Sequence, residues 1–213
     1  MLKIDSFTFN AFQENTYILS DESKECLIID PGCYDSFEKD EIATFIETQK
    51  LKPVKLLNTH CHIDHVLGNK FIADKYKLQI ELNFLEIPLI RAVAEYAPQY
   101  GMFCEPSPEP FALLKEGDSI KFGNSALKIL FTPGHSPGSI CFFNEQEEFI
   151  ISGDVLFQMS IGRTDLPGGN YDTLIKSIRE KLFVLNDQVK VYPGHGPMTT
   201  IGFEKRNNPF LID

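Results

Sequence analysis

Three histidines and one aspartate fall within six residues of this chain, at His60, His62, Asp64 and His65. The whole sequence has only five histidines, and each of the other two follows a Pro-Gly pair, at His135 and His195. Imidazole and carboxylate groups are common ligands of zinc, iron and manganese in proteins. Histidines that are so scarce and so clustered therefore predict a metal site, and one with enough donors for two ions.

The spacing within the cluster indicates how the donors divide. In an extended segment, residues two apart point to the same side, so His60 and His62 can reach one cation together. His65 breaks this alternation, so the chain must turn near Asp64, and the second half of the cluster then faces another direction. Further ligands are expected where strand-like runs end beside glycines that allow tight turns: His135, Asp154 and His195.

The elements that position these residues alternate between β-rich runs and amphipathic stretches, which predicts two packed sheets with helices outside. Strands are expected at 2–9, 16–19, 26–29, 54–57, 78–82, 119–122, 126–131, 140–143 and 149–151, with 189–192 as the last. Helices are expected at 36–49, with Phe37 on the inward side, at 66–76, at 88–97, and after Asp172 as an N-cap.

Residues 83–110 differ from the rest of the chain because one helical stretch is followed by several prolines and a glycine. Proline stiffens a loop without contributing a donor to a β-ladder. We expect this insertion to be either a lid over the site or a surface excursion without a role.

Length and composition limit the class of protein. A chain of 213 residues is long enough for one well-buried domain, taken as 1–213. The net charge of −10 disfavours nucleic acid as a partner, and no run approaches the roughly 20 apolar residues of a membrane helix. The first residues do not resemble a secretory signal. Five scattered cysteines predict a reducing, cytoplasmic location, with a Cys61 thiolate as a possible further ligand.

The motif from Thr59 to His65 resembles the HxHxDH signature of the metallo-β-lactamase superfamily. Four other segments are similar to its remaining motifs, in the expected order: 30–32, 133–138, 152–154 and 193–196. The resemblance implies an α+β fold, a four-layer αββα sandwich with the site at one edge. It also implies a first ion on His60, His62 and His135, a second on Asp64, His65 and His195, and Asp154 with a hydroxide bridging the two.

Within the superfamily, residues 162–169 and 208–211 resemble the short glyoxalase II-like hydrolases. Full-length glyoxalase II has a C-terminal helical domain that helps to hold glutathione, whereas only eighteen residues follow His195 here. Lys205 and Arg206 could replace that contact in part, but solvated charges are the expected role. Arg163 is a candidate for binding a substrate carboxylate, with an ion pair to Asp165 as the alternative, and Asp30 is expected to orient the ligands from behind.

We therefore expect a hydrolase of small thioesters, such as S-lactoylglutathione, that uses two divalent ions, zinc first and iron or manganese as alternatives. Asp154 and Asp64 are the candidate catalytic carboxylates, the latter as orienter of the nucleophile or proton acceptor. The main alternative is a persulfide dioxygenase with a single iron, and a third is a lactonase or β-lactamase. The adjacent His65 and the absence of a signal peptide disfavour the β-lactamase.

Overall fold

Two six-stranded sheets form the centre of the molecule, which the computed structural model describes over residues 2–212. The first sheet contains, in spatial order, β1 (Lys3–Phe9), β2 (Glu14–Ser20), β3 (Glu25–Ile29), β4 (Lys52–Leu57), β5 (Ile80–Asn83) and β6 (Ala112–Leu114). The second contains, in spatial order, β7 (Ser119–Phe122), β8 (Ser125–Phe131), β9 (Ile140–Asn144), β10 (Phe149–Gly153), β13 (Lys190–Pro193) and β14 (Thr199–Thr200). Between β10 and β13 the chain forms a separate short hairpin of β11 (Leu156–Phe157) and β12 (Ser160–Ile161).

Helices cover the outer face of each sheet. The helices between the strands of the first sheet are α1 (Ser36–Thr48), α2 (Ile63–Val66), α3 (Asn69–Tyr76) and α4 (Ile87–Tyr96), with 3-10 turns at Phe84–Glu86 and Ala97–Tyr100. The second sheet carries α5 (Tyr171–Ser177), which continues as a wider helical turn through Ile178–Leu182, and α6 (Ile201–Asn207).

Three buried apolar layers separate these four layers of structure. Neighbouring strand residues point to opposite faces, so Ile28 packs against α1 and α3 while Leu27 packs between the sheets. In the second sheet, Ile151 faces the first sheet and Ile150 faces α5 and α6. The predicted αββα sandwich is confirmed.

Several local predictions were wrong. The helix expected at 66–76 is two helices, and the first begins inside the histidine cluster at Ile63. The side chain of Asn170, not Asp172, caps α5 by accepting from the Thr173 amide. Phe37 is 83% exposed because it lies in the first, outward-facing turn of α1. The strand at 189–192 is not the last, since β14 pairs with it.

The sheet topology brings several strand ends to one edge of the sandwich. β3 and β4 are parallel, and so are β10 and β13. β8 and β10 both run antiparallel to β9 and therefore run the same way. The loops that follow these five strands meet at that edge, and they carry all of the predicted site residues except Arg163. No helix within residues 2–212 is both long and apolar enough to cross a bilayer.

Candidate metal centre

The first group of converging donors joins two loops. Nε2 of His135 lies 3.1 Å from Nε2 of His60 and 2.8 Å from Nδ1 of His62. Tetrahedral zinc with Zn–N bonds of about 2.0–2.1 Å places its ligand atoms about 3.3 Å apart, close to these distances. Burial, together with the neighbouring histidines, lowers the pKa of His60, and lowers that of His62 to about 3. Both imidazoles are therefore neutral and have a lone pair free for a cation.

The second group lies beside the first. Nε2 of His195 is 3.0 Å from Oδ2 of Asp64, and Nε2 of His65 is 3.6 Å from the same oxygen. Burial opposes a charge on His65, but the carboxylates of Asp64 and Asp154 outweigh it and raise its pKa. Three donor atoms, one from each of these three residues, lie within 4.8 Å of one another.

Asp154 lies between the two groups. Its Oδ2 is 3.5 Å from Nε2 of His135, in the first group, and 3.5 Å from Nε2 of His195, in the second. Its Oδ1 is 3.4 Å from Nε2 of His65. Burial would raise the pKa of this carboxyl, yet the surrounding histidines lower it below its usual value. A single carboxylate is thus within reach of both groups.

The outer nitrogens of four of the five histidines contact protein groups, and their inner nitrogens are the ones that meet the other donors. Nδ1 of His135 donates to the Arg163 carbonyl at 2.7 Å, and Nδ1 of His195 donates to the Phe12 carbonyl at 3.1 Å. Nδ1 of His60 is 3.1 Å from Thr59 Oγ1, and Nδ1 of His65 is 3.2 Å from Asp30 Oδ2. Such contacts select the tautomer and orientation of a metal-binding imidazole.

Asp30 belongs to a third possible donor group, with His60 and His65. However, its oxygens already accept from the Thr59 amide at 2.7 Å and the Thr59 hydroxyl at 2.5 Å. It also meets His65 at the outer nitrogen, on the side away from Asp154. The geometry therefore favours the predicted role for Asp30, which is to orient ligands from behind.

Glu14 is a second buried carboxylate behind His65, and the sequence did not single it out. Its Oε1 lies 3.8 Å from Nδ1 of His65 and has no hydrogen-bond partner, and burial raises its pKa well above the usual value. It begins β2, a strand with no recognisable motif. Its backbone also forms an isolated β-bridge with His195.

Two other unpredicted residues fix the loop that carries His195. Nδ2 of Asn15 donates to the carbonyls of Pro193 and Gly196, at 3.1 and 2.8 Å. The hydroxyl of Tyr17 donates to the Pro193 carbonyl at 2.7 Å. These bonds connect the first sheet to a ligand loop of the second.

Glu86 fixes the loops of the first donor group. Its carboxylate accepts from the amides of Cys61 and Gly138, at 2.8 and 2.6 Å, and from the Ser136 hydroxyl at 2.8 Å. Cys61 separates His60 from His62, and Ser136 follows His135. One buried carboxylate therefore connects both loops that supply this group.

Gly194 is required by a close approach rather than by its own conformation. A Cβ atom at this position would lie 2.1 Å from Asp154 Oδ1 and 2.7 Å from Cε1 of His65. Any side chain here would displace the central carboxylate.

The remaining candidates lie outside the centre. Arg163 binds Asp165 through two hydrogen bonds of 2.7 Å, the alternative considered for it. Lys205 and Arg206 both bind Asp187. Cys61 belongs to none of the donor groups found in residues 2–212; its thiol packs in the core beneath α2, and burial raises its pKa.

The residues fit a pair of metal ions. Nε2 of His65 and Oδ1 of Asp154 are buried and have no hydrogen-bond partner, although unpaired buried polar atoms are rare. These two atoms lie 3.4 Å apart, and the same Asp154 carboxylate lies 3.5 Å from an imidazole of each donor group. Nitrogen and carboxylate donors with no thiolate suit zinc, iron or manganese.

Comparison with known proteins agrees with this architecture. The chain is 39% identical to hydroxyacylglutathione hydrolase GloC of Haemophilus influenzae, over 99% of this chain and 98% of that protein. Among solved structures it is similar to BLEG-1, a B3 metallo-β-lactamase, with a TM-score of 0.90 and 34% identity over the full length of both chains. It is also similar to TTHA1623 in a di-iron-bound form, with a TM-score of 0.88 and 35% identity, covering 97% of this chain and all of the other. The metallo-β-lactamase superfamily model matches residues 9–195, and the chain belongs to that superfamily.

Proposed function

We propose that this protein is a glyoxalase II-like hydrolase that cleaves small thioesters with the help of two divalent metal ions. The position of Asp154 carries the proposal, because its carboxylate lies within 3.5 Å of imidazoles from both donor groups. The likeness to the Haemophilus hydrolase of hydroxyacylglutathione supports the thioester, and the di-iron form of the structural relative supports two ions.

His60, His62 and His135 would hold the first ion, and Asp64, His65 and His195 the second, with Asp154 serving both. When bound, two divalent ions lower the pKa of water and polarise a carbonyl oxygen, which is the chemistry that hydrolysis of an acyl group requires. Zinc is the first candidate, with iron or manganese as alternatives.

The residues of the chain orient this centre and move the proton. Asp30 fixes His65, the Arg163 carbonyl fixes His135, and the Phe12 carbonyl fixes His195. Asp64, whose Oδ2 is 3.0 Å from Nε2 of His195, is placed to orient the nucleophile or to accept its proton. A thiolate leaves readily, so no strong general acid is needed on the leaving-group side.

The test begins with elemental analysis of the freshly purified protein, where about two ions per chain are expected. Hydrolysis is then followed for S-lactoylglutathione and a panel containing a lactone, a β-lactam and glutathione persulfide. We expect thioester hydrolysis that chelation abolishes and metal addition restores. The Asp154→Ala variant should show no hydrolysis, and metal addition should not restore it. Asp74→Ala is the matched control, since Asp74 forms only an exposed ion pair with Lys70 on α3.

Other outcomes would overturn the proposal. Full thioester hydrolysis by the refolded, metal-stripped protein would exclude a metal-dependent reaction. A single iron per chain with oxygen consumption on the persulfide would favour the dioxygenase. Faster turnover of the lactone or β-lactam than of any thioester would assign another carbonyl substrate.

A further inference from the structure

Members of both donor groups line a pocket of about 680 Å³. This is within the usual range of about 300–1,000 Å³ for small-molecule sites. One of its walls comes from the β11–β12 hairpin, which contributes Phe157 and Ile161. The ring of Phe157 meets that of His195 edge to face, with centroids 6.1 Å apart. The hairpin therefore forms the wall beside the second donor group.

The base of this hairpin is fixed by the core of the protein. Leu156 and Ile161 are buried and pack in the apolar layer beneath α5 and α6. The hydroxyl of Ser152 also donates to the Leu156 carbonyl at 3.1 Å. The tip of the hairpin lies at the surface, where Met159 is 45% exposed. Burial therefore fixes the base of the wall but not its tip.

The backbone at the tip needs support from elsewhere. Met159 has a positive φ of 58°, a conformation that non-glycine residues rarely adopt and keep where surrounding contacts hold them. Its amide donates to Oε2 of Glu204 at 2.9 Å. The carbonyl of Ser160, the next residue, accepts from Nδ2 of Asn208 at 2.9 Å. Two side chains from α6 and the position after it therefore anchor the tip.

Glu204 and Asn208 are fully buried and hold each other in place. Oε2 of Glu204 accepts from Nδ2 of Asn208 at 2.8 Å, and Oε1 accepts from the Thr199 hydroxyl. Leu211 packs in the same apolar layer as the base of the hairpin. The segment 208–211, which resembles the short glyoxalase II-like hydrolases, is thereby connected to the wall of the pocket.

We infer that the segment 204–211 positions this wall, and that Glu204 and Asn208 thereby determine how tightly a substrate binds. Their contacts fix the tip of the hairpin, and the hairpin holds Phe157 beside His195. Neither Glu204 nor Asn208 is among the described residues that line the pocket, so both are positioning residues rather than catalytic ones. The inference rests on the proposed function for the place where the substrate binds, but not for the identity of that substrate.

Two substitutions separate the hydrogen bonds of Glu204 from its charge. Glu204→Ala removes both oxygens, so the Met159 amide loses its acceptor and the tip should loosen. Glu204→Gln can keep all three contacts. Its carbonyl oxygen takes the place of Oε2, and its NH₂ group donates to the Thr199 hydroxyl, which can accept as well as donate. The glutamine variant should therefore behave like the unmodified protein.

The kinetics use the metal-loaded protein and whichever compound it turns over fastest among the thioester, lactone, β-lactam and persulfide. Glu204→Ala should raise KM about 10-fold, a loss of about 1.4 kcal/mol in binding, and leave kcat within about two-fold. It should keep its bound metal by elemental analysis, because the Phe12 carbonyl fixes His195 independently of the hairpin. Amide hydrogen exchange in residues 156–161 should become faster in the same variant.

Asp21→Ala is the matched control. Asp21 is also a buried carboxylate, and it accepts from the amides of Ser23 and Asn124, but it follows β2 at the end of that strand away from Glu14. This variant should lose stability while KM and hairpin exchange stay unchanged. An equal rise in KM in Asp21→Ala would overturn the inference, because KM would then follow general stability.

Unchanged KM or unchanged hairpin exchange in Glu204→Ala would also overturn the inference, as would a glutamine variant as impaired as the alanine variant. If Glu204→Ala does not fold, Asn208→Ala, which removes the anchor of the Ser160 carbonyl, is measured in its place. The same two outcomes then decide.

This result is separable from the fate of the proposed function. If the lactone or β-lactam is the best substrate, the reaction is misassigned, and KM for that compound still tests the wall. If no compound is turned over, the proposed function fails, and hydrogen exchange of the hairpin decides the inference. If thioesters are hydrolysed but Glu204→Ala changes neither KM nor exchange, the reaction stands and the inference is wrong.

Discussion

Glu86 offers a sharp test of how the first donor group is held together. Its side chain is fully buried and accepts three hydrogen bonds, two from backbone amides and one from a hydroxyl. A Glu86→Gln substitution keeps the shape but replaces one acceptor oxygen by a donor. If the remaining oxygen keeps Ser136 and Gly138, the new NH₂ group faces the Cys61 amide, and that amide loses its acceptor.

The cost follows from this geometry. A buried donor without a partner costs about 1–3 kcal/mol, and the loss of a charged acceptor weakens the two remaining bonds. Burial raises the pKa of Glu86, so removing its charge returns part of that cost. We therefore expect a net loss of about 2 kcal/mol in the free energy of unfolding. For a chain of this size that corresponds to a fall of about 4–8 °C in Tm.

Metal affinity should fall as well, because the substitution loosens the loops on which His60, His62 and His135 lie. Loss of a residue that orients metal ligands typically lowers metal affinity by about 10–100-fold. Urea unfolding of the metal-free protein measures the first effect, and competition with a chromogenic chelator measures the second. A purely structural residue remote from the site would lower stability without changing the affinity of the folded protein.

Glu109→Gln is the matched control, since Glu109 lies in the same segment but forms only an exposed pair with Arg91. It should change stability by less than about 0.5 kcal/mol and leave metal affinity unchanged. If Glu86→Gln unfolded at the same urea concentration as the unmodified protein and bound metal equally well, the proposed connection between the two loops would carry no energy, and the reasoning would fail.

Two further predictions concern close packing at and beneath the site. Gly194→Ala should lower the bound metal to at most one ion per chain by elemental analysis, because the new Cβ would collide with Asp154. Gly196→Ala is the control, since a Cβ there would have no neighbour within 4 Å. It should keep two ions per chain despite the positive φ of 74°. Burial raises the pKa of the Cys26, Cys33 and Cys141 thiols to about 12, so at pH 8 they carry less thiolate than an exposed cysteine does. A disulfide reagent should therefore label these thiols only after the protein unfolds. Rapid labelling of them in the native protein would contradict their burial.

The layers of the fold could be predicted from the sequence because several strands are continuous apolar runs. Neighbouring residues of a strand face opposite layers, so a run that is apolar throughout must be covered on both faces. Runs such as Cys26–Ile29 are buried on both faces, which is typical of a sheet covered on both sides. Helix boundaries were less predictable. Asn170 caps α5 instead of Asp172 because Asn170 is the one with an extended backbone. The preceding loop determines that conformation.

The convergence of the site residues could be expected because each follows a strand-like run, and because His135, Asp154 and His195 also lie beside glycines. Their roles as ligands stay a prediction. The residues that hold the loops together were not predictable, since Glu14, Asn15, Tyr17 and Glu86 are single polar residues with no motif around them. The partners of Asn15 and Tyr17 lie at the end of a strand in the opposite sheet, and those of Glu86 lie in two ligand loops. Only the tertiary structure shows that these side chains are buried, and that those of Asn15, Tyr17 and Glu86 form hydrogen bonds with the ligand loops.

The division of donors between the two sheets has a consequence for folding. The first donor group combines His60 and His62 from the first sheet with His135 from the second, and Asp154 reaches both groups from the second sheet. Neither sheet alone supplies a complete set, so the high-affinity site exists only when the sandwich is closed. An ion that binds the folded chain and not the unfolded one stabilises the fold in proportion to the logarithm of its concentration above the Kd. The metal should therefore act as a link between the two sheets, in addition to the apolar layer between them.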